Sequence, residues 1–227
     1  MLVKDWMSTN VITVNVNDNM QQAISLMTDH KISMLPVLDE GKLVGIVTDR
    51  DLKRAAPSYV TLLEVKQILY HMSRVEIKAI MNIDPITVPQ HYTIEETAEL
   101  LLSHRISGCP VVDNDAKIVG VITKNDLFKA VISLTGLRKR GIQFGVVIED
   151  RPGSIKEVTD IVRAHGGRLV SIMSSYDKVP EGHRSAFIRA FNINREQLPA
   201  IIKEMQAKAT LIYVVDHKEN ARQVFAD

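Results

Sequence analysis

Two runs carry the side chains best suited to chemistry: Gly45-Ile46-Val47-Thr48-Asp49-Arg50-Asp51-Leu52 and Gly120-Val121-Ile122-Thr123-Lys124-Asn125-Asp126-Leu127. In each, a threonine precedes an aspartate by three positions, just where an apolar run ends. A helix starting at the threonine would offer unpaired backbone N–H groups and the positive end of the helix dipole, which favour an anion such as phosphate. One turn in, a carboxylate has two acceptor oxygens that suit the paired hydroxyls of a ribose. The same Thr-x-x-Asp spacing is also a capping box, and capping alone explains it. From the residues, both uses stand.

The rest of the inventory argues against catalysis. Seven histidines, His30, His71, His91, His104, His165, His183 and His217, are scattered with no pair four residues apart. With one cysteine there is no cluster to hold a metal, so metal-site spacing is missing. There is no Gly-x-Ser-x-Gly elbow, phosphate-binding P-loop or Gly-x-Gly-x-x-Gly turn. Met20, Met27 and Met34 read as core filler. No catalytic residue, metal or catalytic cofactor is expected.

Composition narrows the class further. The 28 basic and 27 acidic residues leave a net charge of +1, so no global basic field draws nucleic acid. A chain that is 45% hydrophobic and 24% charged can bury cores and is not disordered. The longest apolar runs are of strand length, well short of the roughly 18 residues of a membrane span. Residues 1–10 show no secretory apolar stretch, and a single cysteine forms no internal disulfide. A cytoplasmic location without membrane or nucleic-acid partners is expected.

The two runs are part of a longer duplication. Met7 with Val11-Ile12-Thr13-Val14 returns 74 positions on as Met81 with Pro85-Ile86-Thr87-Val88. His30-Lys31-Ile32-Ser33-Met34-Leu35-Pro36-Val37 returns as His104-Arg105-Ile106-Ser107-Gly108-Cys109-Pro110-Val111 in the same register. Cys109 thus stands where the first copy has Leu35, which marks a core position rather than a nucleophile. Each copy reads as β-α-β-β-α. Asn19 with Gln22, and Thr93 with Glu96, are spaced to open helices. Met20, Ala23, Ile24 and Met27, and then Ile94, Ala98 and Leu101, supply apolar faces at helical spacing. Met34 to Leu38 and Leu43 to Val47 read as strands joined by a turn at Asp39-Glu40-Gly41-Lys42.

The two copies resemble CBS domains, the cystathionine-β-synthase-type repeat whose tandem pair builds a Bateman module. The resemblance covers residues 3–56 and 77–133. It rests on Met-x-x-x-x-Ile-Thr-Val, on Pro-Val-x-Asp, and on the Gly-to-Thr-x-x-Asp-Leu run. It implies sheet-packed copies and two clefts that take adenosyl ligands: AMP, ADP, ATP or S-adenosylmethionine. On that pattern the ligand residues are Thr48, Asp51, Thr123 and Asp126, with Ile12, Ile86, Ser33, Ser107, Pro36, Pro110 and Arg50. Ser33-Met34 and Ser107-Gly108 stand where some nucleotide-sensing relatives carry His-Arg, which disfavours triphosphates. Between the copies, residues 57–76 read as a linker helix, opened by Thr61 and Glu64 with a stripe at Leu62, Val65, Leu69 and Met72.

A third unit follows. The domain plan is repeat one over 1–56, the linker over 57–76, repeat two over 77–135, a basic hinge over 136–141, a C-terminal domain over 142–217 and a tail over 218–227. The C-terminal domain reads as β-α-β-β-α-β, with strands at Ile142 to Ile148, Leu169 to Tyr176, Ser185 to Ile193 and Leu211 to Val215. Ser154 and Glu157 are spaced to cap its first helix, and Pro199 falls in the first turn of the second. With Asp150-Arg151-Pro152-Gly153 in the first strand-to-helix loop, the domain resembles an ACT domain. That resemblance implies an amino-acid ligand at Asp150, Arg151, Gly153 and Ser154. The three units together resemble AcuB-type CBS-ACT proteins, named for acetoin utilisation. The fold expected is therefore α/β (α+β): a Bateman module plus a ferredoxin-like domain. The expected role is a homodimeric ligand sensor acting on an unnamed protein partner. An enzyme working on a nucleotide in the cleft, or a transcription-linked regulator, is the alternative.

Overall fold

The computed structural model describes residues 1–56, 70 and 72–225. The linker stripe at Leu62, Val65 and Leu69, and its opening pair Thr61 and Glu64, lie outside the described residues; Met72 packs against the first repeat's core. The chain forms two compact units, Met1–Phe128 and Lys129–Asp227. The division falls inside a helix rather than after residue 135.

The first repeat runs β1 (Val14–Asn15), α1 (Met20–His30), β2 (Met34–Asp39), β3 (Lys42–Thr48) and α2 (Asp49–Ala55). The second runs β4 (Asn82–Ile83), β5 (Val88–Pro89), α3 (Ile94–Ser103), β6 (Gly108–Val112) and β7 (Ile118–Thr123), followed by α4 (Lys124–Leu134). Helix α1 starts where Asn19 and Gln22 exchange side-chain bonds with each other's N–H, at 3.0 and 2.8 Å. It buries Met20, Ala23 and Met27. The β2–β3 turn places Glu40 and Gly41 at φ +46° and +79°, the pair of left-handed residues that a tight hairpin needs.

In α3 the core position equivalent to Ala23 is Thr97, which is fully buried. A reading that counts apolar residues passes over it. Its hydroxyl donates to the Thr93 carbonyl at 2.9 Å, so no polar group is stranded.

The repeats complete each other. The turn Ile77–Ala79 opens the second repeat, yet Ile77 is fully buried in the first repeat's core. There its N–H donates to the Asp18 carbonyl at 2.8 Å. Reciprocally, the Val3 N–H donates to Tyr92 at 2.8 Å, and the Ile94 N–H to Met1 at 2.9 Å. The sheet order β1-β2-β3-β4 likewise adds a strand of the second repeat to the first repeat's sheet. Burying a side chain such as Ile77 is worth about 1.5–3 kcal/mol.

The second unit runs β8 (Ile142–Glu149), α5 (Ser154–Ala164), β9 (Arg168–Ser175), β10 (His183–Phe191), α6 (Leu198–Gln206), β11 (Thr210–Asp216) and β12 (Ala221–Val224). Its sheet order is β12-β11-β8-β10-β9 with every pair antiparallel. The first four strands with their helices make the ferredoxin-like β-α-β-β-α-β pattern. Ile142, Phe144, Val146 and Ile148 alternate onto the core side and meet Val158, Val162, Ile201 and Met205 of the helices.

Two local readings change and a third, that of Pro199, holds. The tail contains β12, paired with β11. A 3-10 turn, Arg195–Gln197, precedes α6 and brings Pro199 into the first helical turn, where its missing N–H has no helical partner to lose. The Ser154 and Glu157 capping box does not form. Gly153, at φ +89°, takes the N-cap position, Ser154 turns its hydroxyl to the Arg151 carbonyl at 3.0 Å, and Glu157 is held by Arg151.

Candidate functional site

Strand β3 delivers Thr48 to the start of α2. The Asp51 Oδ2 accepts from the Thr48 N–H at 2.9 Å and from its Oγ1 at 2.5 Å, while the Asp51 N–H donates to Thr48 Oγ1 at 3.4 Å. Strand β7 repeats this at the start of α4: Asp126 Oδ2 accepts from the Thr123 N–H at 3.1 Å and Oγ1 at 2.7 Å. The capping use of both boxes is therefore realised. In the first box every bond to the Asp51 carboxylate falls on Oδ2, so among the described residues none uses Oδ1.

The serines come to the same places. The Ser33 carbonyl accepts from the Asp49 N–H at 3.0 Å, and the Ser107 carbonyl accepts from the Lys124 N–H at 2.9 Å. Each serine thus borders the helix start beside its Thr–Asp box, with its side chain exposed. Pro36 and Pro110 are buried further along their strands, opposite Ile46 and Val121. Ile12 and Ile86 are half-buried, Ile12 against the first repeat's core. Arg50 is exposed. Asp49 is held below the usual carboxylate range by its hydrogen bond to Lys53, against a small opposing effect of burial.

One residue at this site was not expected. Asn82, from the second repeat, donates through Nδ2 to Asp51 Oδ2 at 3.0 Å. Nothing in its type or neighbourhood marks it in the sequence, because the contact depends on β4 joining the first repeat's sheet.

In the second unit the loop after β8 is densely paired. Arg151 bonds Glu149 through Nε at 2.9 Å and grips Glu157 through both terminal nitrogens, at 2.7 and 2.8 Å. Asp150 faces Arg184 Nε at 3.5 Å and the Tyr176 hydroxyl at 3.4 Å, and Ser154 accepts from Arg184 Nη2 at 3.3 Å. The carboxylate expected to meet a ligand ammonium is thus already beside a guanidinium of its own chain. Arg184 and Tyr176 escaped the sequence reading, since they reach the loop only through the pairing of β10 with β8 and β9. Beside the loop lies a cavity of about 320 Å³ lined by Glu149, Arg151, Ser154, Glu157, His183 and Lys208 among others. No helix among the described residues is long and apolar enough to cross a membrane. The described residues hold no cluster of three His, Cys, Asp or Glu side chains that could bind a metal.

Two β-α-β-β-α repeats that complete each other's cores, each with a Thr–Asp box at its last helix, define a tandem-repeat module. The CBS domain family model matches residues 3–58 and 77–133, which are these two repeats. A CBS domain-containing protein of Dictyostelium discoideum is 31% identical over 134 residues, 59% of this chain and 92% of that protein. Among solved structures, AcuB from Vibrio cholerae is 28% identical with a TM-score of 0.50, over 61% of this chain and 96% of that one. The chain belongs to the CBS-domain family. An inosine-5'-monophosphate dehydrogenase of Korarchaeum cryptofilum is 37% identical over 52% of this chain, but the match spans only 22% of that enzyme.

Proposed function

We propose that this protein is a non-catalytic regulatory sensor that binds an adenosyl ligand, AMP, ADP, ATP or S-adenosylmethionine, in its CBS clefts and passes occupancy to a metabolic partner. One observation carries the reading: the first box caps its helix with Asp51 Oδ2 alone, which leaves Oδ1 as an acceptor for a ribose hydroxyl. Capping and ribose binding then coexist. Thr48, Asp51 and Ser33 surround one helix start and Thr123, Asp126 and Ser107 the other, the second at the head of the longer helix α4. There, the positive end of the helix dipole suits a single phosphate or a thioether ligand's polar end. Ile12, Ile86, Pro36 and Pro110 supply apolar surroundings, and Arg50 an outer cation. Calorimetry of the full chain with the four ligands tests this: at least one binds, and binding by none overturns it.

The β-α-β-β-α-β topology supports a second ligand class, an amino acid at an ACT-like domain. At the β8–α5 loop, beside the cavity, backbone N–H groups at the start of α5 would receive the carboxylate and Asp150 the ammonium. Gly153, Ser154 and Asp150 shape the loop. A screen of the twenty amino acids by thermal shift checks it, and no stabilisation by any of them counts against it. The protein is proposed to act in the cytoplasm as a homodimer. The exposed apolar residues Phe128, Val131 and Ile132 on α4 support a second copy covering that face. The likeness to AcuB supports a partner in acetoin utilisation.

A further inference from the structure

We propose that Arg189 and His217 hold a halide-sized monovalent anion, such as chloride, beneath the segment that joins α4 to β8.

Strand register brings the two side chains to one face of the second unit's sheet. Arg189 of β10 pairs with Gln143 of β8, and Gln143 pairs with Val215 of β11. His217 follows β11 directly and continues its ladder, its N–H donating to the Gly141 carbonyl at 3.1 Å. Side chains two apart on a strand share a face, so His217 joins Val215, Gln143 and Arg189 on the side away from the Phe144 core. This corner lies at the opposite end of β8 from the Asp150–Gly153 loop. The joining segment closes over it. A Cβ at Gly136, where φ is +64°, would lie 2.1 Å from Val170 Cγ1 and 3.7 Å from Arg189 Cδ, so glycine alone fits there.

Two buried nitrogens are left over at this corner. The Thr135 carbonyl takes Arg189 Nε and Gln143 Oε1 takes Nη2, but Nη1 has no partner among the described residues. His217 Nε2 is likewise buried and unpartnered among them. Such nitrogens are rare in folded proteins, because each gives up its hydration for nothing.

Charge decides what satisfies them. A direct bond from Nη1 to Nε2 would use both nitrogens yet leave the guanidinium's charge uncompensated. The helix end at Thr135 offsets about half a unit. The carboxylate of β11, Asp216, is spent on Arg195 at 2.6 and 3.0 Å and on the N–H groups of Lys218 and Glu219. Burial pushes the Tyr213 hydroxyl further from ionising, and Arg222 of β12, opposite Val215, adds a second cation. Burial first, then Arg189 and Arg222, hold the His217 pKa below its usual value against the pull of Asp216, so the imidazole adds no third charge. A neutral imidazole protonated at Nε2 and the guanidinium then offer two N–H donors to one anion, whose single charge balances the buried cation. Both donors are closed off from solvent, which restricts the ligand to a single atom or a very small ion.

Crystals of the full-length chain grown with bromide as the halide test the location. An anomalous-scattering peak within hydrogen-bond reach of Arg189 Nη1 and His217 Nε2 is expected; a water or no density at that place overturns the proposal. In solution, broadening of the chloride resonance reads affinity at constant ionic strength, balanced with gluconate, which is too large to enter. His217→Phe removes one neutral donor and keeps the ring's bulk, so chloride affinity should fall about fivefold. Arg189→Met should abolish the broadening. Equal broadening by wild-type and His217→Phe protein would assign it to surface cations and overturn the site. Should Arg189→Met fail to fold, the bromide peak and His217→Phe still decide.

Discussion

Arg189 donates through Nε to the carbonyl oxygen of Thr135 at 2.7 Å, just beyond the end of α4, although Arg189 is only 3% exposed. Ser171 donates to the same carbonyl at 2.9 Å, and Gln143 receives Arg189 Nη2 at 2.5 Å. Among the described residues no carboxylate pairs with this guanidinium, and burial holds its pKa below the ordinary arginine value. The negative end of a helix and two neutral acceptors take the counter-ion's place. The helix that begins at the Thr123–Asp126 box thus ends against a buried cation.

That connection yields the first prediction. If ligand at Asp126 favours one arrangement of α4, the change should reach residues 134–153 as altered hydrogen exchange. Arg189→Met should diminish it, because Ser171 still satisfies Thr135 while the charged anchor is gone. Protection confined to the CBS repeats in wild-type protein would show tethering without coupling. Linkage further requires that any ligand of the second unit alter adenosyl affinity by the same factor.

Asp126→Ala removes a helix cap and the proposed ligand contact together. Adenosyl binding should weaken by about 1.5–3 kcal/mol, measured by calorimetry. Loss of the cap should cost about 1 kcal/mol of stability, read from denaturant unfolding. A variant that loses only stability would assign the residue to capping alone.

His165 gives the second unit a pH signature. Its Nε2 lies 2.9 Å from Glu204, and that hydrogen bond raises its pKa above the usual 6.5 against a smaller effect of burial, with Gln197 assisting. A raised folded-state pKa stabilises the protein fully below the unfolded value, and the benefit fades as pH rises through the folded one. His165→Gln should therefore lower the melting temperature more at about pH 5.5 than at about pH 8.5. An equal effect at both would leave the pair without weight.

Cys109 is fully buried, and burial pushes its thiol pKa up to about 12. Native protein should not react with a thiol reagent at about pH 8, whereas denatured protein should react with one equivalent. Rapid native labelling would contradict the packing of β6.

Light scattering tests the proposed homodimer. A mass near twice 25.4 kDa at micromolar concentration is expected, and Val131→Glu on the exposed face of α4 should lower it. A wild-type monomer would exclude the dimer.

Much of this architecture can be read from neighbouring residues. The apolar spacing of Met20, Ala23 and Met27 and the Asn19–Gln22 pair announce α1, and the structure bears out both. Alternation at Ile142, Phe144, Val146 and Ile148 announces β8. The duplication locates two equivalent Thr–Asp boxes, and both close. Each signal lies within one element, where geometry sets the spacing of side chains and a local count suffices.

Other features needed the chain's long-range packing. Val3 and Ile77 read as openings of their own repeats, yet the backbone N–H of each donates to the other repeat. Asn82 meets Asp51 only because β4 pairs with β3 of the first repeat, and Arg184 meets Asp150 only through the β8–β10 register. Thr97 fills a core position because its own helix carbonyl satisfies its hydroxyl. By itself, the sequence determined the elements, the repeat and the residue types of the two boxes. Tertiary structure alone decided which donors converge on each carboxylate, because strand register and burial bring together groups that no local spacing relates.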